Sequence, residues 1–149
     1  MPGSLPHYSR GPASYQVSSA VVGGQLVCKT TANSTTVIPN TTAGATNILG
    51  VAGNDASPIV SQAGNTTAYG DPLLDISAQG DYVSVYSGAG FDMHVVYEAG
   101  CDFGDLLMAA ATAGNVKKYT AGTADQIIGR CTQPGGVAGG ATIARARIF

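Results

Sequence analysis

Two histidines, His7 and His94, are the side chains of this 149-residue chain best suited to general acid-base catalysis near neutral pH. His7 lies in a start rich in Pro, Gly and Ser, and His94 lies in residues 93–97, where an ordinary strand histidine is expected. No G-x-S-x-G nucleophile elbow is present. We predict no catalytic residue and no enzyme. The opposing hypothesis, a small β-barrel hydrolase or lyase, has His94 as its candidate base.

Motifs for metals and phosphates are also missing from the sequence. Asp71, Asp75 and Asp81 do not have the spacing of a calcium loop, and the glycine-rich residues 135–140 are not followed by Lys-Ser or Lys-Thr. The three cysteines contain no C-x-x-C pair, which favours a reducing compartment. We therefore predict neither a metal site nor a cofactor. The start lacks the charged and apolar regions of a signal peptide, so none is expected.

Charge is scarce and unevenly placed. Charged residues make up 11% of the chain, against about 25% in an average soluble protein. The net charge of −2 argues against nucleic-acid binding, and no apolar run is long enough for a membrane helix. A surface of Thr, Ser, Asn and Gly is easily desolvated, which favours assembly with other subunits. Five of the seven basic residues lie in the last third, as solvated strand faces or as a contact for an acidic partner: Lys117, Lys118, Arg130, Arg145 and Arg147.

These side chains must be positioned by β-strands, because short β-rich runs alternate with Gly, Asn, Asp and Thr clusters from residue 15 onward. The last run alternates clearly, with Ala144, Ala146 and Ile148 on one face. Residues 105–112 could form a helix, but flanking turn signals favour a strand. The predicted strands are residues 15–18, 25–29, 36–38, 48–52, 82–86, 94–97, 106–109, 116–119, 127–131 and 142–149.

An internal repeat organises these strands. Residues 26–50 and 106–129 each open on an aliphatic run and end on T-A-G, a polar bridge, two aliphatics and Gly, with one residue inserted in the second copy. Two copies are too few for a solenoid, which needs about three stacked units. We predict an all-β fold, a small β-barrel or β-tulip-like domain to which each copy supplies a matching set of strands.

Two segments lie outside the repeat. Residues 1–14 have no periodicity and are rich in Pro, Gly and Ser, which predicts an extended N-terminal arm. Residues 15–149 are predicted to form a single β domain, with an inserted loop at about residues 53–80. Because long loops and arms often carry contacts, we expect binding to reside in these two segments.

The second copy contains Gly104-Asp105-Leu106, then Ala113-Gly114-Asn115-Val116, then Ile128-Gly129-Arg130, and a final strand to Phe149. With this order of motifs it resembles the capsid decoration, or cement, proteins of tailed bacteriophages. The first copy, with Gly24-Gln25-Leu26 and Ile48-Leu49-Gly50, looks like the matching N-terminal half. The resemblance covers residues 15–149. It implies a trimer on the outside of a capsid that clamps neighbouring capsomers without catalysing a reaction.

The sequence and the resemblance together lead to one functional hypothesis. We expect a capsid decoration protein, made in the host cytoplasm and located on the outer capsid surface of the virion, with the major capsid protein and its own copies in a homotrimer as partners. No nucleic acid and no membrane are expected as partners. The alternative is another virion β-module, a head-fibre or tail-tip domain that binds a host receptor or glycan. The candidate capsid contacts lie in the arm: Pro6, His7, Tyr8 and Arg10.

Overall fold

The computed structural model describes residues 12–32, 34–58, 80–88, 91–140 and 142–149. The predicted all-β fold is confirmed, and each predicted strand is present within a few residues of its expected bounds. Apart from strands, the described residues contain a single turn of 3-10 helix, Ala124–Gln126. The strands are β1 Ala13–Val17, β2 Leu26–Lys29, β3 Thr36–Pro39, β4 Ile48–Ala52, β5 Tyr82–Tyr86, β6 Phe91–Tyr97, β7 Leu106–Ala109, β8 Val116–Lys118, β9 Gly129–Cys131 and β10 Thr142–Ile148.

The ten strands close into two five-stranded barrels. The first barrel has the strand order β1-β3-β2-β4-β5, and the second has the order β6-β8-β7-β9-β10. One strand pair in each barrel is parallel, β1 with β3 and β6 with β8, and the others are antiparallel. The repeat therefore extends beyond the residues that reveal it in the sequence, because all five strands of one barrel have a counterpart in the other.

The strand registers of the two barrels also match. Val17 pairs with Val37 across the parallel strands of the first barrel, and Tyr97 pairs with Val116 at the same place in the second. A shift of register by one residue would turn every inward side chain outward. The matching registers therefore give the strand residues of the first barrel counterparts in the second.

The tight turn before the second strand of each barrel is built in the same way. The amide of Val22 donates to the side-chain oxygen of Gln25 at 2.9 Å. In the second barrel the amide of Asp102 donates to the carboxylate of Asp105 at 2.8 Å. Both bonds close a turn of the same length with a polar side chain at the same position. Local hydrogen bonding therefore stabilises the same turn in each barrel.

The two cores differ in how they are filled. Val17 of the first barrel is replaced in the second by Tyr97, which is fully buried and donates from its hydroxyl to the carbonyl oxygen of Arg145 at 2.9 Å. The larger side chain of Tyr97 is offset by smaller neighbours, because Ala144 and Ala146 of the second barrel replace Val83 and Val85 of the first. Interiors tolerate such exchanges when total volume is kept.

Several predictions lie outside the described residues. The arm candidates Pro6, His7, Tyr8 and Arg10 are among them, and of the inserted loop only residues 53–58 and 80 are described. Strand β1 begins at Ala13, inside the predicted arm. The division into an arm and a single β domain remains a prediction. Among the described residues, no helix has the length and apolar character needed to cross a membrane.

Candidate interaction surfaces

The two barrels are joined by hydrogen bonds between backbone groups. The amide of Leu26 donates to the carbonyl oxygen of Gly114 at 2.7 Å, and the amide of Gly114 donates to the carbonyl oxygen of Asn40 at the same distance. Gly44 donates to the carbonyl oxygen of Ala109 at 2.9 Å. Backbone groups buried at such a junction must be paired. We call this junction the seam, and it fixes the two barrels in one register.

Glycine is required at the centre of the seam. Gly114 has φ +73°, in the left-handed region, and a Cβ placed on it would lie 2.4 Å from Cβ of Gln25. The side chain of Gln25 crosses the seam at this point and donates to the carbonyl oxygen of Ala113 at 3.1 Å. The backbones of the two barrels therefore approach more closely here than any side chain on residue 114 would allow.

Apolar side chains seal the seam. Leu26, Ala45 and Val51 belong to strands or turns of the first barrel, yet they are buried in the same cluster as the core of the second barrel. Leu26 and Val51 are fully buried, and burial of such side chains contributes about 1.5 to 3 kcal/mol each. The first barrel therefore depends on the second to cover one of its outer faces.

The seam joins two different surfaces. The first barrel uses an inserting surface, Gly24, Gln25, Leu26, Asn40 and Gly44, and the second uses a receiving surface, Val96, Ala109, Ala113 and Gly114. If the barrels met through identical surfaces, each hydrogen bond from the first barrel to the second would be matched by the equivalent bond from the second to the first. The bond from Leu26 has no such repeat, because its counterpart Leu106 is not bonded to the first barrel among the bonds of the described residues. The barrels are packed head to tail, which is a heterologous contact.

Each barrel therefore keeps one surface of this kind unused. The counterparts of the inserting surface in the second barrel include Asp105, Leu106 and Tyr119, which are partly exposed. The counterpart of the receiving surface in the first barrel includes Lys29, which lines an open cavity of about 290 Å³ with residues 30–32 and Asn47. At the seam positions the two open surfaces carry other side chains, with Asp105 in place of Gln25 and Lys29 in place of Ala109, so they present opposite charges.

A second groove, with both polar and apolar lining, lies at the junction. It has a volume of about 160 Å³ and is lined by the closing aliphatic residues of both repeats, together with Phe149. These closing residues are Ile48, Leu49, Ile127 and Ile128. The repeated aliphatic pairs, which are distant in the sequence, thus face one space. This proximity follows from the head-to-tail packing and has no signal in either copy alone.

The outer face of the second barrel carries an ion-pair cluster. Asp92 on β6 accepts from Nη2 of Arg145 at 3.0 Å and from Nε of Arg147 at 2.9 Å, both on β10. The hydrogen bond from Arg147 is the main reason that the pKa of Asp92 lies below its usual value. Lys118 and Asp105 form a further pair at 2.9 Å, which lowers the pKa of Asp105 and raises that of Lys118.

The residues that could do chemistry are not brought together. His94 is exposed on the outer face of β6 and lies opposite Arg145. Within the described ranges, no three His, Cys, Asp or Glu side chains are grouped so that they could hold a metal ion. Asp81 lies at the start of β5, where its carboxylate accepts from Nε2 of Gln16 at 2.8 Å, while Asp71 and Asp75 are outside the described residues.

The three cysteines are buried free thiols, and Cys101 and Cys131 belong to the core cluster of the second barrel. Burial raises the pKa of Cys28, and burial followed by the neighbouring thiol of Cys131 raises the pKa of Cys101 to about 12. Burial also raises the pKa of Tyr97, which lies beside Cys101 and Cys131. A thiol is reactive as the thiolate, so these environments are typical of inert buried cysteines.

Comparison with solved structures is informative, whereas comparison with sequences is not. No family model matches the chain, and no curated protein sequence does. Among solved structures, the chain is similar to the head fiber gp8.5 N base of bacteriophage phi29, with a TM-score of 0.59 and 14% sequence identity. The match covers 92% of this chain and 92% of the other. The two chains therefore share a fold over nearly their whole lengths.

Proposed function

We propose that the chain is a structural protein of a tailed-phage virion that binds the outer surface of the capsid shell. The observation that carries the proposal is the shared fold with a phage head-fibre base over 92% of both chains. The resemblance of the repeat to capsid decoration proteins points to the same location independently. In this role the protein acts by binding, without catalysis and without a cofactor.

Self-association is part of the proposal. The seam is a heterologous contact, and one example of each of its two surfaces is left open on the chain. Contacts of this type generate closed rings where the rotation between copies closes, and open filaments where it does not. We propose that the open surface around Leu106 of one copy packs against the open surface around Lys29 of the next, and that the ring closes at three copies, as the resemblance implies. The scarcity of charge supports such burial, because few ions must be desolvated.

Attachment to the shell is assigned to the arm, with Pro6, His7, Tyr8 and Arg10 as candidate contacts. Tyr and Arg are frequent anchors of protein interfaces. Deletion of residues 2–12 keeps all of β1 and should abolish binding to the major capsid protein. Unchanged binding would remove the arm from the proposal without affecting the rest of it.

A second candidate function is the base of a head fibre, which the similarity to the phi29 structure favours. Its attachment to the capsid would be the same, but its copy number would be lower and a longer appendage would follow. A decoration protein covers the shell at a stoichiometry near that of the major capsid protein. A fibre base occupies a subset of positions.

One experiment tests the proposal and separates the two candidates. The purified chain is mixed with expanded, DNA-free heads of the phage that encodes it, and sedimentation is followed by quantitative gel analysis. Co-sedimentation near one copy per major capsid protein supports a decoration protein, and saturation at a small fraction of that ratio supports a fibre base. The absence of co-sedimentation would refute both. Size-exclusion chromatography with light scattering measures the oligomer, and Leu106→Asp should reduce it to a monomer.

A further inference from the structure

The outward face of β10 carries a continuous stripe of basic and apolar side chains. Along the strand it reads Ile143, Arg145, Arg147 and, just beyond the strand, Phe149. Ile143 is 60% exposed and Phe149 is 54% exposed, while the alternate residues of the strand point into the barrel. At about 3.3 Å per residue the stripe is about 20 Å long, which is the scale of the centre of a protein interface. We call these four residues the β10 stripe.

The two arginines in the stripe are held in place. Each guanidinium donates one bond to the carboxylate of Asp92, which lies directly opposite Arg147 on the neighbouring strand. A guanidinium has five N–H donors, and for each arginine the described residues accept from only one of them. Because the bond to Asp92 already restrains each arginine, less side-chain entropy is lost when its remaining donors bind an acceptor.

The charge of this face is positive although the chain is negative overall. Arg130 on β9 lies directly opposite Arg147, so the face carries three arginines against the single carboxylate of Asp92. Like charges directly opposite each other on neighbouring strands destabilise a sheet. An anionic partner would relieve this repulsion, which makes the arrangement favourable in a complex.

The fold itself does not require the stripe, because the first barrel has the same strand without it. The counterparts of Arg145 and Arg147 on β5 are Ser84 and Tyr86, and the counterpart of Ile143 is Tyr82, which is 58% exposed. The first barrel therefore has the same register and a similar apolar side chain, but no charge. Ile143 lies directly opposite Val96 of the receiving surface, and Phe149 lines the groove at the junction, so the two ends of the stripe lie beside the seam.

We propose that the β10 stripe is a docking surface for an acidic protein surface that also presents apolar side chains, and that this surface lies on the capsid shell. The arginines would bind carboxylates in pairs, and Ile143 and Phe149 would pack against apolar groups at either end. The exposed apolar ends distinguish this partner from a nucleic acid, whose backbone offers them no contact. The inference rests on the proposed function, because it identifies the chemistry of the shell that the chain binds.

The test compares binding of three chains, the wild type and two variants, to purified heads by sedimentation at two salt concentrations. The double variant Arg145→Gln with Arg147→Gln should bind at least about tenfold more weakly, since each loses charge-assisted hydrogen bonds. The control, Lys117→Gln, removes a positive charge from β8 of the same barrel and should bind as the wild type. Wild-type binding should weaken as salt is raised, and that of the arginine variant should change less.

The apolar ends are tested by a second matched pair. Ile143→Ser should weaken binding several-fold, whereas Tyr82→Ser, at the equivalent position of the first barrel, should leave it unchanged. Circular dichroism would show whether the arginine variant is folded. If it is not, the comparison of Ile143→Ser with Tyr82→Ser still tests the docking surface. If Ile143→Ser binds heads as tightly as the wild type, and the arginine variant does so too where it folds, the β10 stripe is not a docking surface. The proposed function would be unaffected by that result.

Two further outcomes separate the possible failures. If the wild-type chain does not bind heads, the proposed function is wrong and the inference about the shell fails with it. If double-stranded DNA binds the wild type as tightly as heads do, and the arginine variant loses DNA binding, the stripe is a nucleic-acid contact and the inference is overturned.

Discussion

Replacing Gly114 by alanine should separate the contribution of the seam from that of backbone strain. The residue has φ +73°, which costs an alanine about 1 to 2 kcal/mol. Its new methyl group would lie 2.4 Å from Cβ of Gln25, a distance that requires movement of one backbone or the other. Overpacking of this kind costs about 1 to 3 kcal/mol. We expect Gly114→Ala to reduce the free energy of unfolding by about 2 to 5 kcal/mol.

The matched control is Gly104→Ala. Gly104 has φ +89°, so alanine suffers the same kind of strain, but no atom beyond its chain neighbours lies within 4 Å of the added methyl group. The expected loss is about 1 to 2 kcal/mol. The difference between the two variants, about 1 to 3 kcal/mol, therefore reports on the contact between barrels alone.

Urea denaturation followed by circular dichroism measures both variants against the wild type. A loss of two-state behaviour in Gly114→Ala would also fit the seam, because the first barrel would then unfold before the second. Equal losses of stability in the two variants, each with a single transition, would refute the argument that the barrels are held at this close approach.

Three further outcomes are expected. Leu26→Ala should lower the free energy of unfolding by about 2 to 5 kcal/mol, because Leu26 is fully buried in the seam. Substitution of its partly exposed counterpart, Leu106→Ala, should lower the stability of the free monomer much less. Equal losses for the two variants in urea denaturation would contradict the burial of Leu26 in the seam. The pKa values of Asp92, Glu98 and Asp105 are lowered by an arginine, a threonine amide and a lysine respectively. Such carboxyls stabilise the fold above their unfolded pKa, so the free energy of unfolding should fall as the pH drops below about 4.5, and Asp92→Asn should flatten that fall. The three buried thiols should react with a thiol reagent only in denaturant; rapid reaction of the native chain would contradict their placement.

The strands and their faces could be predicted from the sequence because both depend on local patterns. Alternation places Ala144, Ala146 and Ile148 inside the second barrel, and the same period places Arg145 and Arg147 outside. The aligned repeat also decides between helix and strand at β7, where residue propensities alone favour a helix. Turn glycines and the T-A-G segments separate these strands, so the order of the elements could be predicted as well.

The interaction surfaces could not be predicted in the same way. The seam depends on Gly114 meeting Gln25 across 89 positions of sequence, 114 − 25 = 89, and no local pattern encodes a contact at that separation. The partnership of Asp92 with Arg145 and Arg147 likewise requires the register of β6 against β10. One signal for the stripe was present in the sequence: two arginines and two large apolar residues share one face of the last strand.

The sequence by itself determined the all-β class, the strand faces and the existence of two related halves, since local alternation and self-similarity suffice for each. Tertiary structure alone decided that each half closes its own barrel and that the two pack head to tail. The physical reason is that closure and packing depend on long-range backbone pairing and on space. Val51 and Arg130 occupy equivalent positions, yet the first is buried in the seam and the second is exposed. Only the arrangement of the barrels distinguishes a covered surface from an open one.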